Sequence, residues 1–362
     1  MRRSERWPAT GSSPDGHRPQ MLRGAFLGYG HVAERGHAPG WKARPDVSIV
    51  AAADARMERR DAFLESFPQG RWYSTAEDLL SGESLDFVDV CTPPGTHALI
   101  VRQALARRLH VLCEKPLVCS PEELRGLPAL AAEKERVLYT VHNWRHAPAI
   151  VRIGEVIRRG AVGEIRRIRW ETLRDRPAAA VGDTENWRLD PVQSGGGILT
   201  DHGWHAFYVV SAWLSAAPRT VAARLETRKH HEYPVEDTVD LFLVYATATA
   251  EIFLTWADSE RANRVEIFGT KGILRLDGGS LALLDVDGAK KVEEWSVPSI
   301  ADGSHHPDWF AGVVDGFFDE IADEKWRGRN LAEATLCANV MSLSRESSRQ
   351  GGVPLAIERM RR

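Results

Sequence analysis

Between Met21 and about residue 142, short apolar runs alternate with segments that repeat apolar residues every three or four positions. Short apolar runs are typical of strands buried on both faces, and the repeating segments are typical of amphipathic helices. We predict strands at residues 22–27, 47–53, 86–91, 110–113 and 137–141. We predict helices at 97–108 and 121–135, the second opened by Ser120 and broken near Pro128. Strands separated by helices indicate a parallel sheet covered on both faces.

The pattern changes after about residue 145, where strand-like segments follow one another with few helices between them. Such an order indicates a mostly antiparallel sheet. We predict strands at 165–172, 220–228, 238–245, 250–256 and 264–268, and helices at 198–214, 309–324 and 331–349. The chain is therefore predicted to be an α/β protein with an N-terminal domain at 21–142 and a C-terminal domain at 143–362. Residues 1–20 are polar, and we predict that they form a disordered extension.

Composition narrows the class of partner. With 362 residues two domains are expected, and 43% hydrophobic residues suffice for two cores. A balance of 47 basic to 50 acidic residues leaves no field to hold a polyanion, so nucleic acid is not an expected partner. No apolar run reaches the roughly 18 residues that span a bilayer, so no membrane contact is expected. The cysteines at 91, 113, 119 and 337 lack metal-ribbon spacing and are expected to be reduced, as in a cytoplasmic protein.

A glycine-rich turn follows the first predicted strand. It reads Gly28-Tyr29-Gly30-His31-Val32-Ala33, the Gly-x-Gly-x-x-Ala form of a dinucleotide-binding fingerprint. The glycines permit a tight turn and let a pyrophosphate approach the backbone, where the following helix offers unpaired N–H groups. Asp54, at the end of the second strand, stands where a carboxylate can bind the ribose hydroxyls of NAD. NAD is the expected cofactor. NADP is the alternative, because three arginines that follow could bind its 2′-phosphate, unless they form a solvated helix face: Arg56, Arg59 and Arg60.

Glu114-Lys115-Pro116 ends a predicted strand at the carboxyl edge of the parallel sheet, where ligands bind in open α/β sheets. A lysine at this edge can hold its ammonium group beside a nicotinamide ring and stabilise a developing alkoxide. Glu114 can alternatively form a surface salt bridge with a lysine or an arginine. These residues alone do not decide between the two readings.

The segment 194–205 reads Ser-Gly-Gly-Gly-Ile-Leu-Thr-Asp-His-Gly-Trp-His. Asp201 and His205 are four residues apart, so on an α-helix they share a face, and the carboxylate would orient the imidazole and raise its basicity. Such a pair can take a proton from a hydroxyl while hydride leaves the same carbon. His202 points elsewhere, to contact a substrate or to pack. A zinc site made of His202 and His205 lacks a clear third ligand, so no metal is expected.

Together these motifs resemble the glucose–fructose oxidoreductase, inositol dehydrogenase and MocA family (Gfo/Idh/MocA). The resemblance rests on the glycine turn, on Thr92-Pro93-Pro94 with His97, on Glu114-Lys115-Pro116, and on the triple glycine followed by Asp201 and His205. It extends from about Met21 to the C-terminus. It implies an N-terminal Rossmann domain, which is a doubly wound parallel sheet, followed by a C-terminal α/β domain with a large, open, mostly antiparallel sheet.

The resemblance also implies roles for individual residues. Lys115 matches the family's active-site lysine, and Asp201 and His205 match its Asp/His pair, with His205 as the proton acceptor. The cofactor is expected to lie along the glycine turn and along Thr92, Pro93, His97, Glu114 and Lys115. Substrate contacts are expected from five residues near the domain crossing and around the triple glycine: Asn143, Arg145, Trp187, Arg188 and His202.

The expected activity is hydride transfer between nicotinamide and a ring hydroxyl or ketone of a sugar, cyclitol or sugar derivative. Such a substrate needs a polar pocket, in which Trp187 and Trp204 can stack on a sugar face or simply pack in the core. Arg188 could instead bind a carboxylate or phosphate of the substrate. Two other classes stay open, an NAD-dependent glycoside hydrolase that oxidises transiently and a non-catalytic dinucleotide-binding regulator. A homodimer or homotetramer is expected, since members of the family mate through an exposed sheet face.

Overall fold

The computed structural model describes residues 21–178 and 186–358, so the predicted extension at 1–20 lies outside the described residues. The strands are β1 (Leu22–Leu27), β2 (Val47–Ala53), β3 (Arg71–Tyr73), β4 (Phe87–Val90), β5 (His110–Cys113), β6 (Leu138–Thr140), β7 (Ile165–Leu173), β8 (Thr220–Glu226), β9 (Thr238–Val244), β10 (Thr249–Thr255), β11 (Ala262–Gly269), β12 (Ile273–Asp277), β13 (Ser280–Leu284), β14 (Lys291–Ser296) and β15 (Leu355–Ala356).

The α-helices are α1 (Ala38–Lys42), α2 (Arg60–Ser66), α3 (Ala76–Gly82), α4 (His97–Ala106), α5 (Pro121–Leu124), α6 (Leu127–Lys134), α7 (Pro148–Arg158), α8 (Pro191–Ser194), α9 (Trp204–Leu214), α10 (Pro307–Ala322) and α11 (Arg329–Arg349). Two wider π-helical turns, Val32–His37 and Leu199–Gly203, lead into α1 and α9. Within the described ranges, no helix is long and apolar enough to cross a bilayer.

The N-terminal sheet has the order β3-β2-β1-β4-β5-β6, and all its neighbouring strands are parallel. Its central strands are apolar and buried, as the short apolar runs predicted. The strand order reverses between β1 and β4, so the carboxyl ends of these two strands open a crevice of the kind in which dinucleotides bind. The predicted doubly wound parallel sheet is confirmed.

The C-terminal sheet has the order β14-β13-β12-β11-β7-β10-β9-β8-β15. β7 and β10 are parallel, and the other neighbours are antiparallel. Burial alternates along β7 and β9, because one sheet face packs under helices and the other meets solvent. The exposed face carries ion pairs between strands, including Arg169 with Glu251 and Arg275 with Glu266. The predicted large and mostly antiparallel sheet is confirmed.

Helix α10 follows the second sheet in sequence but packs on the first. Phe310 and Phe317 are buried in one core with Trp41 and Phe87. Phe310 also stacks on the imidazole of His37, with ring centroids 3.9 Å apart. Aromatic pairs of this kind contribute about 0.5–1.5 kcal/mol each beyond their buried area. The two halves of the chain therefore share a core, and the boundary between residues 142 and 143 stays a prediction.

Two predicted helices differ from those observed. The helix predicted at 121–135 is two helices, because the chain turns at Gly126 with a φ of 78°, and Pro128 lies in the first turn of α6. The helix predicted at 198–214 begins with the π-helical turn Leu199–Gly203 before it becomes α9. This second difference bears directly on the site, because it changes which side chains face each other.

Candidate active site

The glycine turn after β1 forms an open cradle at the crevice. Gly28 has a φ of 89°, and a Cβ atom built on it would lie 2.7 Å from the backbone nitrogen of Thr92. Only glycine fits here, because the loop after β4 passes directly against the turn. His31 and Val32 lie where the π-helical turn begins, so the free N–H groups of a helix start face the crevice. The cradle suits the pyrophosphate of a dinucleotide.

Asp54 lies beside this cradle, as the fingerprint predicted. One carboxylate oxygen accepts a hydrogen bond from the backbone N–H of Tyr29 at 2.8 Å, and the other accepts one from the N–H of Arg56 at 2.9 Å. The carboxylate is thereby fixed at the end of β2, with lone pairs left for ribose hydroxyls. Arg59 is not part of a solvated face, because it donates to the carbonyl of Tyr29 and pairs with Glu34.

His97 does not reach the cofactor crevice directly. Its side chain is fully buried, and its two ring nitrogens lie 2.8 Å from the carbonyl oxygens of Pro116 and Thr92. Burial lowers the pKa of the ring. A neutral imidazole has one N–H and donates to one of these two carbonyl oxygens, and a role of His97 in cofactor binding stays a prediction. The residue braces the loop that contains Thr92 and Pro93 against the loop after β5.

Glu114 meets a buried histidine rather than a surface lysine or arginine. Its carboxylate lies 3.1 Å from Nε2 of His37, and Nδ1 of His37 lies 2.9 Å from Asp89. Burial would lower the pKa of this histidine, but the carboxylate of Asp89 raises it well above its usual value, so the ring is held as an imidazolium. The other oxygen of Glu114 accepts from the backbone N–H of Lys115 at 2.9 Å. This network, which the sequence did not reveal, fixes the backbone from which Lys115 projects.

Lys115 joins the first domain to the second. Its ammonium group donates to the backbone carbonyl of Asp201 at 2.7 Å and lies 3.3 Å from the carboxylate of the same residue. Nδ1 of His202 and Nε of Arg188 also approach this carboxylate, at 3.3 and 3.9 Å. Burial alone would raise the pKa of Asp201, but the surrounding charges lower it below its usual range, so it stays ionised.

The expected contact between Asp201 and His205 is wrong. The segment Leu199–Gly203 is a π-helical turn rather than an α-helix, and the two side chains have different partners. The carboxylate of Asp201 faces Lys115 and His202, while Nδ1 of His205 lies 2.9 Å from the hydroxyl of Tyr208. The expected rise in basicity is also reversed, because burial and the charge of Lys115 lower the pKa of His205 well below its ordinary value.

Tyr208 therefore orients the imidazole of His205. Its hydroxyl oxygen accepts a hydrogen bond from the backbone N–H of Trp144 at 3.0 Å. For His205 to accept a substrate proton at Nε2, Nδ1 must carry the ring hydrogen and donate it to the same phenol oxygen. The ring also stacks on the indole of Trp144, with centroids 4.4 Å apart and planes 7° apart. The imidazole is held in one orientation by a hydrogen bond and a stack.

The variant Tyr208→Phe tests this role. Losing the acceptor for Nδ1 should lower kcat about threefold to tenfold, the effect of one neutral hydrogen bond, with little change in KM. Tyr245→Phe is the matched control, because Tyr245 is also buried and its hydroxyl lies 3.2 Å from Ser211, away from His205. Steady-state kinetics of both variants decide the matter. Equal losses in the two would show that Tyr208 serves only packing.

Trp187 and Arg188 line the same small cavity as Lys115 and Asp201. The guanidinium of Arg188 lies over the indole of Trp187, 4.4 Å from the ring centroid. Nε of Arg188 is buried and has no hydrogen-bond partner among the described residues. Both residues are thus where a substrate contact was predicted, and Trp187 is not a core residue.

The other predicted substrate residues differ in their surroundings. Arg145 pairs with Glu333 of α11 and is exposed, so its side chain serves the packing of α11 rather than the cavity. Asn143 is half-buried, and its side-chain oxygen has no hydrogen-bond partner in the described parts of the chain. Trp204 is fully buried and donates to His142 at 3.1 Å, so it belongs to the core.

Fold and site together define a dinucleotide-dependent oxidoreductase. Residues 22–142 match the model described as "Oxidoreductase family, NAD-binding Rossmann fold", and residues 150–275 match "GFO/IDH/MocA C-terminal domain". The chain belongs to the Gfo/Idh/MocA family, and its N-terminal domain is an NAD-binding Rossmann domain. The predicted family, enzyme class and NAD cofactor are confirmed.

Curated relatives include D-apiose dehydrogenase of Paraburkholderia graminis, 29% identical over 264 residues that cover 71% of this chain and 68% of the relative. D-glucoside 3-dehydrogenase of Escherichia coli is 31% identical over 193 residues, 52% of this chain and 54% of the relative. Among solved structures, GenD2 from gentamicin A biosynthesis, in complex with NAD, has a TM-score of 0.77 and 25% identity, covering 96% of this chain and 100% of that one.

Proposed function

We propose that the protein transfers a hydride between NAD and a ring hydroxyl or ketone of a sugar, cyclitol or sugar derivative. The observation that supports this proposal most strongly is a contact between two residues. Lys115, at the edge of the NAD-binding sheet, contacts Asp201 in the π-helical turn before α9. This contact sets an ammonium group of the first domain beside a carboxylate of the second, and the charge of Lys115 also reaches His205, whose pKa it lowers. Relatives named D-apiose dehydrogenase and D-glucoside 3-dehydrogenase support a sugar hydroxyl as the reacting group.

NAD, when bound, supplies the hydride acceptor or donor. In oxidation, the neutral imidazole of His205 accepts the proton of the substrate hydroxyl at Nε2, while Nδ1 stays bonded to Tyr208. Lys115 stabilises the negative charge that develops on the substrate oxygen, and Asp201 holds the lysine in place. In reduction, the same residues return a proton to that oxygen. Gly28 and Gly30 leave room for the pyrophosphate, and Asp54 binds ribose hydroxyls.

A substrate panel tests this proposal. Purified protein should reduce NAD, followed by absorbance of the reduced nicotinamide, with at least one member of a set of sugars, cyclitols and sugar acids. Lys115→Met should lower kcat about 10²–10³-fold, since it removes a charge that stabilises the reacting oxygen. Lys291→Met is the matched control, because Lys291 is exposed and pairs only with Glu294 on the surface. Sugar release from a glycoside with no net reduction of NAD would contradict the proposal in favour of hydrolysis.

We also propose NAD over NADP as the working cofactor. The carboxylate of Asp54 would repel a 2′-phosphate, and Arg59 is already engaged by Glu34. Arg56 lies close to Gly30, and a comparison of kcat/KM for the two cofactors tests the preference. A higher kcat/KM with NADP would contradict the role given to Asp54.

A homodimer or homotetramer and a cytoplasmic location complete the proposal. The exposed face of the C-terminal sheet offers arginine and glutamate side chains of both signs, which supports self-association through that face. The four cysteines are free, which suits a reducing compartment. Sedimentation velocity would distinguish a monomer from either oligomer.

A further inference from the structure

The cavity beside Lys115 carries more positive than negative charge. Among the described residues that line it, the carboxylate is that of Asp201. Lys115 and Arg188 both approach this single carboxylate, at 3.3 and 3.9 Å. Two cations against one anion leave an excess positive charge in a largely buried place, which is unfavourable unless another anion balances it.

Arg188 is the cation with hydrogen-bonding capacity to spare. Its side chain is 21% exposed, and its buried Nε finds no partner in the described structure, since 3.9 Å from Asp201 is beyond hydrogen-bond distance. The stack on Trp187 and the backbone hydrogen bond from Arg188 to Asn186 hold it in place. A fixed guanidinium with free donors is suited to a planar carboxylate or to a phosphate.

Two further arginines, the buried Arg174 and the exposed Arg261, lie close enough to His202 to lower its pKa. Arg174 is buried and donates to the carbonyls of Leu173 and Ala262 and to the side-chain oxygen of Asn263. Burial lowers its pKa to about 10, so it remains charged at neutral pH. Arg261 donates to the carbonyls of Ala301 and Gly303. All these acceptors are neutral. Within the described chain, the hydrogen bonds of Arg174 and Arg261 therefore include none to a carboxylate that would balance their charge.

We infer that the substrate carries an anionic group, a carboxylate or a phosphate, and that Arg188 binds it. The inference rests on the proposed function and narrows it to acidic members of the polyol class, such as a sugar acid or a sugar phosphate. The substrate's anion supplies the missing negative charge, while its reacting hydroxyl lies towards Lys115 and His205. Neutral sugars of the same ring could offer Arg188 hydroxyl oxygens as acceptors but would leave the excess positive charge unbalanced.

The experiment compares matched pairs in the presence of NAD: D-glucose with D-glucuronate, D-galactose with D-galacturonate, and D-glucose with D-glucose 6-phosphate. Both turnover and the shift in melting temperature are measured. The anionic member of at least one pair should have a kcat/KM at least about tenfold higher and should stabilise the protein more. The uronate and phosphate arms distinguish the two kinds of anion.

Variants of Arg188 then assign the preference. Arg188→Gln should reduce the ratio of anionic to neutral kcat/KM about 10- to 100-fold, which corresponds to the loss of a charged hydrogen bond. Arg188→Lys, which keeps the charge but not the planar fork, should restore part of that ratio. Arg176→Gln is the matched control, because Arg176 is exposed and pairs with its neighbour Asp175. The control should leave the ratio unchanged.

Each contrary outcome has a distinct meaning. If neutral members are preferred, or if Arg188→Gln leaves the ratio intact, the anion inference is overturned while hydride transfer stands. If Arg188→Gln weakens NAD binding, measured by tryptophan fluorescence, and leaves the ratio intact, the guanidinium serves the cofactor and the inference is likewise overturned. If uronates or phosphates stabilise the protein through Arg188 but no compound is oxidised, the anion site stands and the proposed hydride transfer fails.

Discussion

Replacing His205 by glutamine is expected to lower kcat about 10²–10⁴-fold, the range that a general base contributes. The side chain of glutamine has much of the volume of the imidazole, so the substitution should leave no large cavity beside Trp144. NAD affinity, measured by fluorescence quenching, should be nearly unchanged because His205 lies in the second domain. His231→Gln, at an exposed position, is the matched control. Turnover close to that of the unaltered protein would exclude His205 as the base.

The pH profile gives this prediction a second readout. Burial and the neighbouring charges of Lys115 and His202 lower the pKa of His205, so the ring is neutral well below pH 6.5. A base that is already neutral needs no further deprotonation at neutral pH. We therefore expect kcat/KM for oxidation to stay constant as the pH falls through 6.5. Its decline in acid should begin at a pH below 6.5. A limb centred at the ordinary histidine pKa would contradict this placement of the ring.

The free energy of unfolding is expected to fall steeply between pH 6.5 and about pH 4. In the described part of the chain, burial lowers the pKa of eight histidines: His97, His110, His142, His146, His202, His205, His305 and His306. Each binds a proton in the unfolded chain near pH 6.5 but not in the folded one. Stability is therefore fully present above the unfolded pKa and is lost as pH falls towards the folded one.

The size of this loss is large for a protein of ordinary stability. Each such histidine contributes at most about 1.4 kcal/mol per pH unit between its folded and unfolded pKa, so several together are a sizeable part of a total of roughly 5–15 kcal/mol. His37 has a raised pKa and acts in the opposite sense, because its contribution is retained in acid. Urea unfolding at pH 7 and pH 5 measures the difference. Equal free energies at the two pH values would show that these histidines titrate in the folded chain as they do in the unfolded one.

The parallel sheet could be predicted from the sequence, because strands that are buried on both faces consist of uninterrupted apolar runs. β3 was missed because Arg71-Trp72-Tyr73 is a three-residue edge strand that is only partly buried. Helix α7 has apolar residues at helical spacing and was overlooked. The later strands β12, β13 and β14 are short hairpin strands between polar turns, so their alternation is brief.

The sequence identified residues of the candidate site better than it predicted which of them contact each other. Asp54 lies beside the glycine turn that contains Gly28, and Lys115 contacts Asp201, while the roles of these residues stay predictions. The predicted pairing of Asp201 with His205 is wrong because the carboxylate of Asp201 lies against Lys115, from the other domain, while His205 meets the hydroxyl of Tyr208. The roles of His37 and Tyr208 depend on partners far along the chain or on backbone donors, and no local pattern announces such partners.

The return of α10 to the first sheet has a consequence for synthesis. Phe310 and Phe317 complete the aromatic core around Trp41 and Phe87, yet they lie more than 150 residues beyond the last strand of that sheet. At translation rates of about 5–20 residues per second, the NAD-binding sheet waits roughly 10 to 35 s on the ribosome before its own core can close. A fragment that ends near residue 142 would expose that aromatic surface permanently, so the cofactor domain is not a module that can be excised at the end of its sheet.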